Sequence, residues 1–215
     1  MHIVVEHLLG DQEAQVFWID PMRSFSILRM VQLLNARGIT SGPELDAIIE
    51  RIFVGREDNL DAIEAFLDEF PEASMTRLIV LGNVAMPFHG TYYDSIGDRV
   101  NRIQRFGLAL RRNAYRCGWT ILVINQMTTR FKPDAAHPDG KQSYVVPAFG
   151  DVWSVYPDVR IHLEHDPRDR DRRSMHIVKS LTARGKKIPF RITVSSVIKI
   201  LTFLGLWHNH HLRIM

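Results

Sequence analysis

The sequence predicts an α/β fold: a mostly parallel sheet with flanking helices and an antiparallel extension toward its carboxyl end. Three observations lead there. Short apolar runs alternate with segments of helical spacing through the first 124 residues, the pattern of strands joined by crossover helices. ILVINQMTTRF, Ile121 to Phe131, is rich in β-branched residues and ends in the polar pair Asn125 and Gln126, which suits a buried parallel strand whose carboxyl end meets a site. Beyond Pro147 and Gly150, three further strand-like runs are separated by turn signals rather than by helices.

In chain order, Val16 to Ile19 is a short strand ending at Asp20. Ser24 is placed to cap a helix in which Ile27, Leu28, Val31 and Leu34 recur at helical spacing until Gly38 ends it. Ile52 to Val54 is a second strand, Leu60 to Phe70 a helix, Arg77 to Leu81 a third strand. A long helix from about Asp98 to Cys117 feeds the strand Thr120 to Ile124. Val159 to Leu163, His176 to Val178 and Phe190 to Thr193 form the antiparallel extension. No repeat, linker or second domain is visible.

Composition narrows the class. Hydrophobic residues make up 46% of 215, enough for a sizeable core and against disorder. A pI of about 9.2 with a formal charge of only +3 permits a polyanionic partner without requiring one. The single cysteine, Cys117, cannot form an internal disulfide, and no basic region precedes an apolar stretch at the amino terminus, so the expectation is a reducing compartment. Val197 to Trp207 is apolar but short and carries Lys199, and no membrane span is expected.

Strand, polar tip, loop and next strand, from INQMTT through VPAFGDVW, together with RLIVLGNVAMPF at Arg77 to Phe88, resemble the RecA-type recombinase family, nearest the C-type eukaryotic paralogue. The resemblance covers roughly Val16 to Val194. It implies a RecA-like core over residues 1–196 and an off-pattern tail over 197–215. In the family, the tip glutamine, here Gln126, senses nucleotide, and the loop after it meets DNA.

The family's ATP and magnesium chemistry is not matched. A phosphate loop needs GxxxxGK[ST], so that backbone amides wrap the phosphates while lysine and a hydroxyl handle charge and metal. Gly140-Lys141 and Gly185-Lys186 lack both the earlier glycine and the following hydroxyl. On the family pattern Met1 already falls inside the helix after that loop, so the central strand that would carry the loop is expected to be absent, leaving a gap or an exposed edge beside Arg77 to Leu81. The resemblance places Met22 where a glutamate orients the attacking water, and Gly82 where an aspartate holds magnesium; neither side chain can do so. Asp20 remains, with a structural role or a vestigial metal contact open to it. No catalytic residue, cofactor or metal site is expected, and the histidines at 208, 210 and 211 lack a companion cysteine or carboxylate.

Candidate DNA contacts fall in two places. On a helical wheel Arg102, Arg105, Arg112 and Arg116 lie within roughly a quarter of the circumference, opposite Val100, Ile103, Gly107, Leu110 and Ala114. Arg99 precedes them. This is either a solvated face or a phosphate-binding stripe; the second reading rests on the preceding segment Gly90 to Asp98, with Tyr92 and Tyr93, which matches the family's first DNA-binding loop. The second place is the segment Arg130 to Tyr144, a flexible loop carrying Arg130, Lys132, His137 and Lys141, partly offset by Asp134 and Asp139. HDPRDRDRRS, His165 to Ser174, reads as a solvated hairpin tip.

The resemblance thus implies a nuclear recombinase paralogue that supports homologous recombination and double-strand-break repair, binding single-stranded DNA and other paralogues or the recombinase itself. Two alternatives are a truncated product of an ATP-dependent recombination ATPase and a RecA-like regulatory domain that binds only protein.

Overall fold

The computed structural model describes residues 1–70, 76–133, 141–183, 185, 187–193 and 197–198. In chain order the elements are α1 (His2–Gly10), β1 (Gln15–Ile19), α2 (Ile27–Asn35), α3 (Pro43–Ile49), β2 (Ile52–Gly55), α4 (Leu60–Glu69) and β3 (Thr76–Leu81). There follow α5 (Met86–His89), α6 (Ile96–Cys117), β4 (Thr120–Val123), β5 (Met127–Pro133), β6 (Lys141–Pro147) and α7 (Gly150–Ser154). The antiparallel strands are β7 (Arg160–Asp166), β8 (Asp169–Lys179), β9 (Lys187–Ile192) and β10 (Val197–Ile198).

Four strands in the order β2-β1-β3-β4 form a wholly parallel sheet. Because side chains alternate across a strand, β3 sends Leu78 and Val80 to one face and Ile79 and Leu81 to the other, all at most 1% exposed. Leu78 and Val80 join Val16 and Trp18 under α1, α2 and α3, against Val4, Leu8, Met30, Leu33 and Ile48. Ile79 and Leu81 join Ile19 and Ile121 under α4, α6 and α7, against Ile63, Leu67, Phe106, Leu110 and Trp153. Burial on both faces is why RLIVL reads as a continuous apolar run. Each such side chain contributes about 1.5–3 kcal/mol by leaving water.

The long helix α6 starts where the Ser95 side chain accepts from the Asp98 amide, and ends at Gly118, whose φ of 67° is the left-handed cap conformation. At its middle, Gly107 lets the Tyr156 ring approach so closely that a Cβ would lie 2.6 Å from it. Tyr156 immediately precedes the second sheet, β10-β9-β8-β7, which is antiparallel throughout. Polar bonds also tie that sheet to the rest: Lys179 Nζ donates to the carbonyls of Ser154 and Val155 at 3.1 Å, and Arg29 Nη2 to Thr193 O at 2.8 Å.

Several expectations need correction. Ser26, not Ser24, caps α2, its hydroxyl accepting from the Arg29 amide at 3.2 Å; Ser24 is taken by Asp20 instead. The buried face of α2 is Met30, Leu33 and Leu34, while Ile27 and Leu28 are 43% and 74% exposed. There is no gap or open edge at β3, which pairs with β1 on one side and β4 on the other; among the described residues the sheet's unpaired edges fall at β2 and β4 instead. The segment after Gln126 is not simply a loop, because β5 and β6 pair in register from Met127 against Pro147 to Pro133 against Lys141. The start of the off-pattern tail, Val197–Ile198, adds a short rung to β9. The helix α3, with Pro43 at its first turn, was not anticipated; its seven residues are too short for a convincing periodic signal.

Candidate functional site

The carboxyl ends of β1, β3 and β4 bring together Asp20, Gly82, Asn83, Asn125 and Gln126, the place where open parallel sheets build their sites. Asp20 is 1% exposed. Its Oδ1 accepts from the Ser24 amide and hydroxyl, both at 3.0 Å, and its Oδ2 from the Phe25 amide at 2.7 Å. Three donors satisfy a carboxylate that burial alone would penalise, and they fold the chain from Pro21 to Phe25 into a turn with Arg23 at φ 54°. Met22 stands at the outside of that turn, 51% exposed.

Gly82 donates its amide to Ile19 O at 2.9 Å, holding the ends of β3 and β1 level. A Cβ here would stand 3.3 Å from Trp18 Nε1 and 3.7 Å from Asp20 Oδ1. A carboxylate at this position would therefore lie beside a buried carboxylate, which is electrostatically unfavourable. Trp18 Nε1 itself is buried with no hydrogen-bond partner among the described residues.

Asn83, at φ 55°, donates from Nδ2 to Gln126 Oε1 at 3.1 Å, and Gln126 Nε2 lies 3.4 Å from His89 Nε2 on α5. The Gln126 amide donates to Asn125 Oδ1 at 2.9 Å. Asn125 Nδ2 donates to Ala148 O at 2.9 Å, and the Ala148 amide returns to Gln126 O at 2.8 Å. Gln126 therefore joins the tip of β3, the helix α5 and the base of the β5–β6 hairpin. Sequence reasoning found Gln126 and Asn125 but missed Asn83 and His89. Asn83, directly after the RLIVLG strand, was the signal available, since asparagine tolerates the left-handed turn found there.

The hairpin projects beyond this network. Arg130 is exposed, with its guanidinium Nη2 3.4 Å from where a Cβ on Gly150 would be. Lys132 Nζ sits 4.8 Å from the Tyr144 ring centroid, and Phe131 is 65% exposed, a set of cations and aromatics on one short ribbon. Of Lys141 the backbone pairing with Pro133 is described; His137, Asp134 and Asp139 lie outside the described residues, as do the histidines at 208, 210 and 211. Among the described residues no group of three His, Cys, Asp or Glu side chains is placed to hold a metal ion.

The arginine stripe on α6 divides. Arg102 donates to Glu64 at 2.7 Å and also pairs with Asp61, both on α4. Arg112 Nη2 donates to Asp68 Oδ1 at 2.7 Å and Arg116 Nη2 to Asp68 O at 3.1 Å. Asn113, wholly buried, donates to the same carboxylate at 3.2 Å. That hydrogen bond, helped by the one from Arg112 and by the charges of Arg112 and Arg116, holds the Asp68 carboxyl below its ordinary value against the opposing effect of burial, whereas burial pushes Glu64 up despite Arg102. These three arginines brace α6 against α4. Arg99 and Arg105 are exposed, and Arg105 lines a shallow depression with Asp98, Asn101, Gln104 and Leu108.

No protein-family model matches the chain. It is 24% identical over 202 residues to a Dictyostelium discoideum protein named "DNA repair protein RAD51 homolog 3", a match covering 86% of this chain and 51% of that protein. It is 22% identical over 187 residues to a Caenorhabditis briggsae protein named "RAD51-like protein 1", covering 86% of this chain and 69% of that protein. The chain thus spans about half the length of the first relative and about two thirds of the second. With the doubly covered parallel sheet and antiparallel extension, these two similarities support a relationship to the RAD51/RecA family.

Proposed function

We propose that this chain is a recombinase paralogue that supports homologous recombination and DNA double-strand-break repair in the nucleus, nearest the C-type paralogue. It does so by contacting single-stranded DNA and assembling with other recombinase-family proteins, without hydrolysing ATP itself. The observation that carries the reading is the hairpin β5–β6, which presents Arg130, Phe131 and Lys132 from a base held by Gln126 at the carboxyl edge of the parallel sheet. Cations give sequence-independent phosphate contact and an exposed ring gives a stacking platform. Arg99 and Arg105 extend the cationic surface, and Arg102, Arg112 and Arg116 contribute mainly by holding α6 in place. Two relatives whose names include RAD51 point to the same process.

The residues at the ends of β1 and β3 do not fit a nucleotide-bound magnesium ion. Asp20 is occupied by its turn, Gly82 offers no side-chain oxygen, and Met22 cannot act as a base. The helix-side GxxxxGK[ST] motif is not found in these residues.

The test is fluorescence anisotropy of labelled oligo(dT) titrated with the chain from low to physiological salt. Arg130→Ala and Lys132→Ala should each reduce the slope of log Kd against log salt by about 1, and Phe131→Ala should weaken binding by about 1–3 kcal/mol. An affinity that none of the three changes removes the DNA-binding reading. In parallel, magnesium-dependent ATP turnover persisting through extensive purification would overturn the inactive-ATPase reading, and Met22→Glu with Gly82→Asp should not create turnover.

A further inference from the structure

The strand β7 is bonded to β8 along its whole length and, among the described residues, to no strand on its other side. The register irregularities of the pair are extra residues on β8, so β7 itself runs straight. Its apolar face is unfinished at that edge. Ile161 and Leu163 are 38% and 61% exposed, whereas their cross-strand neighbours Ile177 and Met175 are 4% and 5% exposed. The strand contains neither proline nor lysine, two devices by which edges are ordinarily blunted; its charges are Arg160, Glu164 and Asp166.

The order of its side chains decides the occupant. Run antiparallel to itself about Leu163, the sequence Arg160-Ile161-His162-Leu163-Glu164-His165-Asp166 places Arg160 opposite Asp166 and His162 opposite Glu164 of the second strand. Leu163 meets its own copy, and Ile161 meets His165. The opposite-sign Arg160–Asp166 pairs and the polar His162–Glu164 pairs fall on one face and Leu163 with Ile161 on the other, because side chains alternate along a strand. Each pair occurs twice across a two-fold axis. Glu164 already accepts from Lys187 at 2.6 Å and from Ser174 at 3.3 Å, whereas Asp166 accepts only the Arg168 amide, on Oδ1 at 2.9 Å, among the described hydrogen bonds, so the Arg160–Asp166 pairs carry most of the selectivity.

We infer that β7 is a homodimerisation edge: two copies of this chain pair antiparallel through β7 about a two-fold axis at Leu163, joining their antiparallel sheets into one. The occupant is a second copy of the chain, recognised by its own reversed charge order. A ribbon this short buries less than a permanent dimer requires, so the association is reversible and concentration-dependent.

Sedimentation equilibrium of the full chain should show a monomer–dimer equilibrium. Arg160→Asp and Asp166→Arg, each alone, should weaken dimerisation about tenfold or more, since like charges then face each other twice across the axis. The double exchange Arg160→Asp with Asp166→Arg should restore it. Independently, Leu163→Cys should trap a disulfide-linked dimer under mild oxidation, because directly opposed Cα atoms in an antiparallel pair lie within disulfide range. Val178→Cys, also exposed but on β8, should not, and the native Cys117 is buried. The inference is overturned by a chain that stays monomeric at all concentrations, by a dimer indifferent to both single charge reversals, or by equal crosslinking from positions 163 and 178.

Discussion

The parallel and antiparallel sheets of this molecule solve the problem of an apolar strand in opposite ways. In the first, β3 is covered by helices on both faces and by strands on both edges, and Leu78 to Leu81 are essentially inaccessible. In the second, the apolar face is filled at Met175 and Ile177 but open at Ile161 and Leu163 on β7, an edge strand among the described residues. Stability is therefore concentrated in the parallel half. The antiparallel half retains surface whose burial is left to association. The β5–β6 hairpin between them belongs with the second group, with Phe131 and Val145 65% and 61% exposed.

The sharpest way to break this contrast is to truncate one apolar residue in each sheet. Ile79→Ala in β3 should cost about 2–5 kcal/mol of unfolding free energy. Val178→Ala in β8, 47% exposed, should stay within about 0.5 kcal/mol. Urea midpoints at matched protein concentration measure both, and comparable losses would mean that the two sheets are equally committed to the core.

A smaller effect is expected where the halves meet. Gly107→Ala places a methyl group against the Tyr156 ring at 2.6 Å unless the two separate, an overpacking that costs about 1–3 kcal/mol. If the crowding is with Tyr156 alone, most of that cost should vanish in a Tyr156→Ala background. A double-mutant cycle read by thermal melting provides the comparison, and additivity would place the strain elsewhere along α6.

The smallest effect sharpens the contrast through pH. His2 and His7 lie on α1, under the parallel sheet, and burial lowers the pKa of both below the ordinary histidine value; for His2, Arg37 adds to the lowering. The unfolded chain then binds protons more readily than the folded one, so stability is fully present above about pH 6.5 and declines as pH falls from there toward the lowered folded values. Replacing both with glutamine should flatten the urea midpoint between pH 7 and the mildly acidic range. An unchanged pH slope would show that α1 tolerates two charged imidazoles.

Much of the architecture is legible along the chain. The runs VFWI, RLIVL and ILV announce buried parallel strands because a strand with two covered faces needs apolar residues at successive positions, and their order follows from crossover connection. Asn125 and Gln126 mark a strand tip because two polar side chains directly after such a run must leave the core. That Met22 and Gly82 carry no carboxyl group is likewise a matter of residue identity. Local sequence was less informative about α2, where Ser24 and Ser26 are equally suitable caps until Asp20, four residues before the first, claims one of them.

What the tertiary structure alone decided is partnership. Arg102, Arg112 and Arg116 align on a helical wheel whether they face solvent, DNA or α4; only the packing of α6 beside Asp61, Glu64 and Asp68 made them a brace. The link from Asn83 through Gln126 to His89 joins residues distant in sequence that become neighbours because β3 and β4 are hydrogen-bonded side by side. The open edge of β7 could not be read from its alternating residues either, since alternation specifies which face is buried and says nothing of how many strands lie alongside. Burial propensity is a property of each residue and is written along the chain; contacts depend on where folding brings the other member of the pair.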